Sequence, residues 1–134
     1  MSGMLTAPYQ DFARTKLGFE FSDINLLITA LTHRSYVNEH KKSVSEHNER
    51  LEFLGDAVLE LIVTDFLFHN YAEPEGTLTS WRAALVRTES IGEAGDKLGY
   101  EPLIRMSRGE KQGSKRARQQ ILANAFEAVI GAIY

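Results

Sequence analysis

Glu49, Glu52 and Asp56 stand three and four residues apart, a spacing that projects all three carboxylates from one face of a helix. The residues around them are almost all apolar: Leu51, Phe53, Leu54, Ala57, Val58, Leu59 and Leu61. Acids on such a helix are costly unless something compensates them, and clustered carboxylates are compensated most simply by a hard divalent cation. A second polar pair, Asn124 and Glu127, shares a face of a later apolar segment. If the two helices pack together, Glu52, Asp56, Asn124 and Glu127 converge as an oxygen-only donor set suited to Mg²⁺ or Mn²⁺. The four histidines (His33, His40, His47, His69) show no zinc-like spacing. With no cysteine, a disulfide, a thiolate zinc site and a cysteine nucleophile are all excluded. A solvated helix face is the plain alternative for an acid triple, and the surrounding hydrophobicity argues against it.

The elements that must position these groups read as helices throughout, with no sustained period-two alternation. Tyr9 to Leu17 reads as a short helix closed by Gly18, and Ser22-Asp23 as the cap of a second. Asn38 to Ser45 reads as a loop, with Ser43 and Glu46 spaced as a capping box for a helix from about Glu46 to about Tyr71. That helix, about 37 Å long from its rise per residue, would cross the domain. Pro74-Glu75-Gly76 reads as a turn before a helix over Leu78 to Thr88, and Ser90 with Glu93 as a further capping box. Gly99 ends that helix, Gly109 to Ser114 forms a glycine-bearing loop, and a last helix starts near Lys115. The expectation is a single all-α domain over residues 1–134, a bundle around one long buried central helix.

The string His47 to Leu61, HNERLEFLGDAVLEL, resembles the signature of the ribonuclease III family, endonucleases that cut double-stranded RNA. Ile121 to Tyr134, ILANAFEAVIGAIY, looks like the family's other acidic helix, so the similarity covers essentially the whole chain as its endonuclease domain. The resemblance implies Glu52, Asp56, Asn124 and Glu127 as metal ligands, with Asp56 and Glu127 central to catalysis. It places Glu49 nearer the RNA or the outer shell, and Glu75 at the rim of the cleft. It implies Mg²⁺ (or Mn²⁺) as cofactor and a two-fold homodimer in which Phe53 enters a pocket on the partner. Phe53 on its own reads more simply as core packing. The products implied are 5′-phosphate and 3′-hydroxyl ends with short 3′ overhangs, in processing of ribosomal and other RNA. The family usually has aspartate where Asn124 stands. A variant tolerated by the lineage, an introduced inactivating change and a catalytically weakened relative remain open, the last two leaving a double-stranded-RNA-binding dimer.

Net charge is −3, which by itself argues against a nucleic-acid partner, but the charge is unevenly placed. Arg105, Arg108, Lys111, Lys115, Arg116 and Arg118 against Glu110 give +5 locally, leaving −8 elsewhere. Acids beside a basic strip suit metal-dependent work on a polyanion, with Lys111, Lys115 and Arg116 placed to grip phosphates. No apolar run is long enough to span a membrane and Met1 to Leu5 lacks a leader pattern, so a cytoplasmic protein is expected. Nothing resembles the double-stranded-RNA-binding domain usual in the family, and truncation of a longer chain is the favoured reading of the apolar, uncapped end at Tyr134.

Overall fold

A computed structural model describes residues 3–134, with side chains from Thr6 onward, so Met1 to Leu5 lie largely outside it. The helices are α1 (Gly3–Phe12), α2 (Ile24–Ala30), α3 (Arg34–Glu39), α4 (Glu49–Asn70), α5 (Glu75–Leu85), α6 (Thr88–Leu98), α7 (Arg108–Lys111) and α8 (Lys115–Ile133). A π-turn over Ala13–Leu17 extends α1, and a 3₁₀ turn over Glu101–Leu103 precedes α7. Among the described residues there is no strand beyond one bridge, Thr32 to Arg105, so the all-α expectation holds. Gly18 and Gly99 end their helices in the left-handed region, at φ 82° and 75°, as their positions foretold.

Burial falls on α8 and not on the long central helix expected to carry it. The core is built from Tyr9, Phe12, Leu27, Leu31, Tyr100, Ile104 and the inward side of α8, and only Gly55 and Leu67 of α4 are buried. α4 is long and central in sequence, but its apolar residues are spread around its circumference. The chain covers it mainly along one stripe against α8, with α5 packed on its second half, and leaves Leu61, Ile62, Phe66 and Phe68 exposed.

Two glycines set how closely those helices approach. A Cβ built on Gly55 would overlap the Glu127 carbonyl oxygen and lie 2.9 Å from Gly131 N. One built on Gly131 would overlap the Leu51 carbonyl oxygen and lie 3.1 Å from Gly55 N. The pairing of Leu51 with Gly131 and of Gly55 with Glu127 makes α4 and α8 antiparallel, backbone against backbone.

The start of α4 is fixed by a buried polar knot rather than by the capping box expected of Ser43 and Glu46. Asn48 donates its side-chain amide to Ala30 O (3.1 Å) and its backbone N–H to Thr32 O (2.9 Å). Its own carbonyl accepts from Glu52 N at 2.8 Å, starting the helix at Glu49 instead of Glu46. Thr32 Oγ1 in turn accepts from Arg105 Nε at 2.9 Å. Ser43 only bonds locally to His40 O, and Ser90 sits inside α6, donating to Ala84 O at 2.9 Å. Pro74 is the N-cap position of α5, so Glu75-Gly76 forms a first helical turn. The Asn38–Ser45 loop loses its start to α3, and the loop expected over Gly109 to Ser114 holds α7.

Candidate functional site

The antiparallel α4–α8 contact brings acids from distant parts of the chain together. The Glu127 carboxyl is half-buried and held up to about 8 by loss of solvent, then by a hydrogen bond and the charge of Asp56, then by the charge of Glu52. Glu52 is raised as well, by burial first and then by Glu49 and Asp56. Asp56 and Glu52 thus oppose the ionisation of Glu127, and Glu49 and Asp56 that of Glu52. That situation favours a bound proton or a bound cation.

Glu49 stands at the outer edge, its carboxylate 3.4 Å from the Arg34 guanidinium and 3.8 Å from His47 Nδ1. Asn124 lies on the face of α8 that carries Glu127, one turn nearer the helix start, and its Oδ1 accepts from Gln120 Nε2 at 2.9 Å. Glu75 is not brought to this group. It lines a separate cleft of about 630 Å³ between the end of α4 and α5, with Thr64, Tyr71 and Arg82. Phe53 is 84% exposed, which overturns the core-packing reading of that residue within the chain.

The basic strip divides into two sets. Arg105 stacks over Tyr36 at 4.8 Å besides bonding Thr32, and Arg118 pairs with Glu101 at 3.1 Å and donates to Lys111 O at 2.8 Å. Arg108, Lys111, Lys115 and Arg116 are exposed. Ser107 and Ser114 cap the helices that carry them, each accepting from a backbone N–H three residues on at 3.1 Å. His33, which sequence reasoning set aside as a ligand, uses its Nδ1 to cap α3 by accepting from Ser35 N at 3.1 Å. Burial lowers its affinity for a proton, against the pull of Glu110.

The donor set fits a divalent cation in its chemistry: carboxylate and amide oxygens, gathered at a cost that positive charge would relieve. Among the described residues no three acidic or histidine side chains already stand as a finished ligand cage. Glu127 gives the site a measurable signature. Its carboxyl binds a proton more tightly in the folded chain, so stability is full below the ordinary carboxylate range and falls as pH rises towards about 8. The metal-free melting temperature should therefore decline over that window, and Mg²⁺ should raise it more at pH 8 than at pH 5. Equal Mg²⁺ effects at both pH values would count against a cation replacing that proton.

Sequence reasoning missed Gly55, Gly131, Asn48 and Gln120. A lone glycine inside a strongly helical run was the available signal for the first two.

Taken together, the fold and site define an all-α domain whose two closest helices carry an oxygen-only acidic cluster. Residues 23–134 match the family described as Ribonuclease-III-like. Ribonuclease 3 of Listeria monocytogenes serotype 4a (strain HCC23) is 47% identical over 119 residues, covering 88% of this chain and 52% of that protein. Ribonuclease 3 of Bacillus cereus (strain AH187) is 50% identical over 120 residues, covering 89% and 49%. The chain belongs to the ribonuclease III family. It spans about half the length of these curated relatives.

Among solved structures, the nuclease domain of ribonuclease III from Campylobacter jejuni superposes with a TM-score of 0.81 at 45% identity, covering 92% of this chain and 82% of that one. That structure is described as showing flexibility in a region involved in dimer formation. Dicer from Pichia stipitis gives a TM-score of 0.61 at 28% identity, over 86% of this chain and 47% of that one. Among the described residues no helix is long and apolar enough to cross a membrane.

Proposed function

We propose that this chain is a divalent-metal-dependent endoribonuclease domain that hydrolyses phosphodiester bonds of double-stranded RNA as a two-fold dimer, within RNA processing, including that of ribosomal RNA, in the cytoplasm. The observation that carries the reading is the convergence of Glu52 and Asp56 from α4 on Glu127 of α8, which holds the Glu127 and Glu52 carboxyls above their ordinary range. Glu52, Asp56, Asn124 and Glu127 would hold Mg²⁺ or Mn²⁺. When bound, the ion supplies an activated water and neutralises charge on the phosphate and the departing oxygen. The chain's own residues place the duplex: Lys111, Lys115 and Arg116 grip phosphates without reading sequence, as befits recognition of A-form RNA by shape. Glu49, already paired with Arg34, borders the acids on the solvent side, and Glu75 contributes from the neighbouring cleft. The products are 5′-phosphate and 3′-hydroxyl ends.

The dimer is supported by the surface of α4 and α5. Phe53, Leu61, Ile62, Phe66, Phe68 and Leu85 are all more than half exposed, an apolar extent that a lone soluble domain rarely shows. A two-fold arrangement would give each RNA strand one site, and staggered cuts would leave short 3′ overhangs. Phe53→Asp should yield a folded monomer by sedimentation, with duplex cleavage reduced to single-strand nicks or lost. Unchanged self-association of that variant would remove Phe53 from the interface.

The reading is tested by incubating labelled duplex RNA at low salt with Mg²⁺, Mn²⁺ or EDTA, using this chain and Asn124→Asp. Metal-dependent cutting by both establishes the enzyme, with faster cutting by Asn124→Asp as the added carboxylate strengthens the site. Cutting by Asn124→Asp alone favours a second reading, a double-stranded-RNA-binding dimer, which the loss of one charged ligand at Asn124 motivates. The phosphate grip has its own test: Lys115→Ala with Arg116→Ala should lower the salt slope of RNA binding by about 2, from counterion release at two lost phosphate contacts. An unchanged slope would remove these residues from the RNA path.

A further inference from the structure

The hydrogen bond between Gln120 and Asn124 bears on the one position where the acidic cluster carries a neutral group. Gln120, Asn124 and Glu127 follow one another at spacings of four and three, a single column on α8. Gln120 is exposed, and its amide N–H reaches Asn124 Oδ1 at 2.9 Å. That oxygen is the only atom of Asn124 able to ligate a hard cation, because the side-chain nitrogen carries two hydrogens and no available lone pair. That oxygen is therefore already engaged by Gln120 before any cation arrives.

An aspartate would not face this choice. It has two oxygens, so one can accept from Gln120 while the other serves the metal, and neither orientation presents a donor. Asparagine at 124 therefore makes the residue four positions earlier matter in a way it would not otherwise.

We propose that Gln120 is a positioning residue that competes with the divalent cation for the Asn124 oxygen, raising the cation concentration at which this chain's site fills. The inference rests on the metal-site reading given above. The cation must break or share the Gln120 bond, and that cost falls on the affinity rather than on the chemistry that follows binding. Gln120→Met keeps length and helix propensity while removing both the donor and the acceptor. It should tighten Mn²⁺ binding by about 2- to 10-fold, the worth of one ordinary hydrogen bond.

The test is a double-mutant cycle on Mn²⁺ affinity, measured by calorimetric titration of the unmodified chain, Gln120→Met, Asn124→Asp and the double variant. Circular dichroism verifies the fold of each. Tightening with Asn124 present, and none in the Asn124→Asp background, supports the competition. The same tightening in both backgrounds, no change in either, or weaker binding by Gln120→Met would overturn it. If neither the unmodified chain nor Asn124→Asp binds Mn²⁺, the metal site itself fails and this inference falls with it, a result distinct from binding that ignores Gln120. A second readout is the concentration of Mn²⁺ giving half-maximal duplex cleavage, which Gln120→Met should lower while leaving the saturated rate unchanged. A shift in the saturated rate alone would contradict an effect on affinity.

Discussion

Glu127→Gln should lower duplex-RNA cleavage by at least about a hundred-fold, since changing even an outer partner of a metal ligand costs 10- to 100-fold. The fold should persist, because glutamine matches glutamate in shape and Glu127 makes its closest approach to α4 through its backbone. The substitution should also flatten the pH dependence of the metal-free chain's stability. Glu127 holds its proton up to about 8. An amide has none to lose, so the variant's melting temperature should be flatter between about pH 5 and pH 8 and no lower than the parent's at pH 8. Mg²⁺ should then stabilise the variant less than the parent. A Glu127→Gln protein that cuts duplex RNA within tenfold of the parent rate would sink the assignment of the site, whatever its stability.

Gly55→Ala should be the most damaging single-methyl change in the chain. The added carbon would fall on the Glu127 carbonyl and within 2.9 Å of Gly131 N, so two rigid backbones would have to separate. No rotamer change relieves a clash with main chain. Overpacking of this kind costs at least about 3 kcal/mol. For a domain of this size that corresponds to a fall of about 10 °C in melting temperature. The damage would not be confined to stability, because the segment pushed away carries Glu127 itself. Any folded fraction should therefore cleave poorly and lose its Mg²⁺-dependent stabilisation. Gly131→Ala should behave alike, through the Leu51 carbonyl. Gly76→Ala is the contrast: a Cβ there meets nothing within 4 Å, and alanine inside α5 should be neutral or stabilising by about 0.5–1 kcal/mol. Equal melting temperatures for Gly55→Ala and Gly76→Ala would refute the close backbone approach of α4 and α8.

The carboxylates were readable from the chain because helical spacing alone puts Glu49, Glu52 and Asp56 on one side of α4 and Asn124 and Glu127 on one side of α8. A capping residue with strictly local work was readable for the same reason: Asp23, expected with Ser22 to cap α2, accepts from Asn25 N at 3.0 Å. Local signals lost where a tertiary partner made a better offer. Asn48 gives its side chain to Ala30 O across 18 positions and starts α4 through its backbone, so the Ser43–Glu46 pattern had nothing to cap. Arg105 and Arg118 looked like members of a phosphate-binding strip, yet Thr32, Tyr36 and Glu101 take them up. The burial of α4 was misjudged because hydrophobic residues all around a helix specify that something covers it. They do not specify that the same chain does. Glu75 shows the remaining limit, since no spacing rule says which cleft an acid in the first turn of α5 will line.

α8 supplies both the buried face of the core and Glu127, and the ribosome delivers it late. Asp56 and Glu127 are 71 positions apart in the chain, a delay of about 4–14 s at ordinary elongation rates. Throughout that interval Glu52 and Asp56 ride on a helix whose face for α8 has no counterpart to lie against. A nascent chain therefore exposes its acids before it possesses the group that completes them. The same helix that closes the core also closes the acidic cluster, so an emerging polypeptide surrounded by structured ribosomal RNA has no assembled site until it has become a folded one.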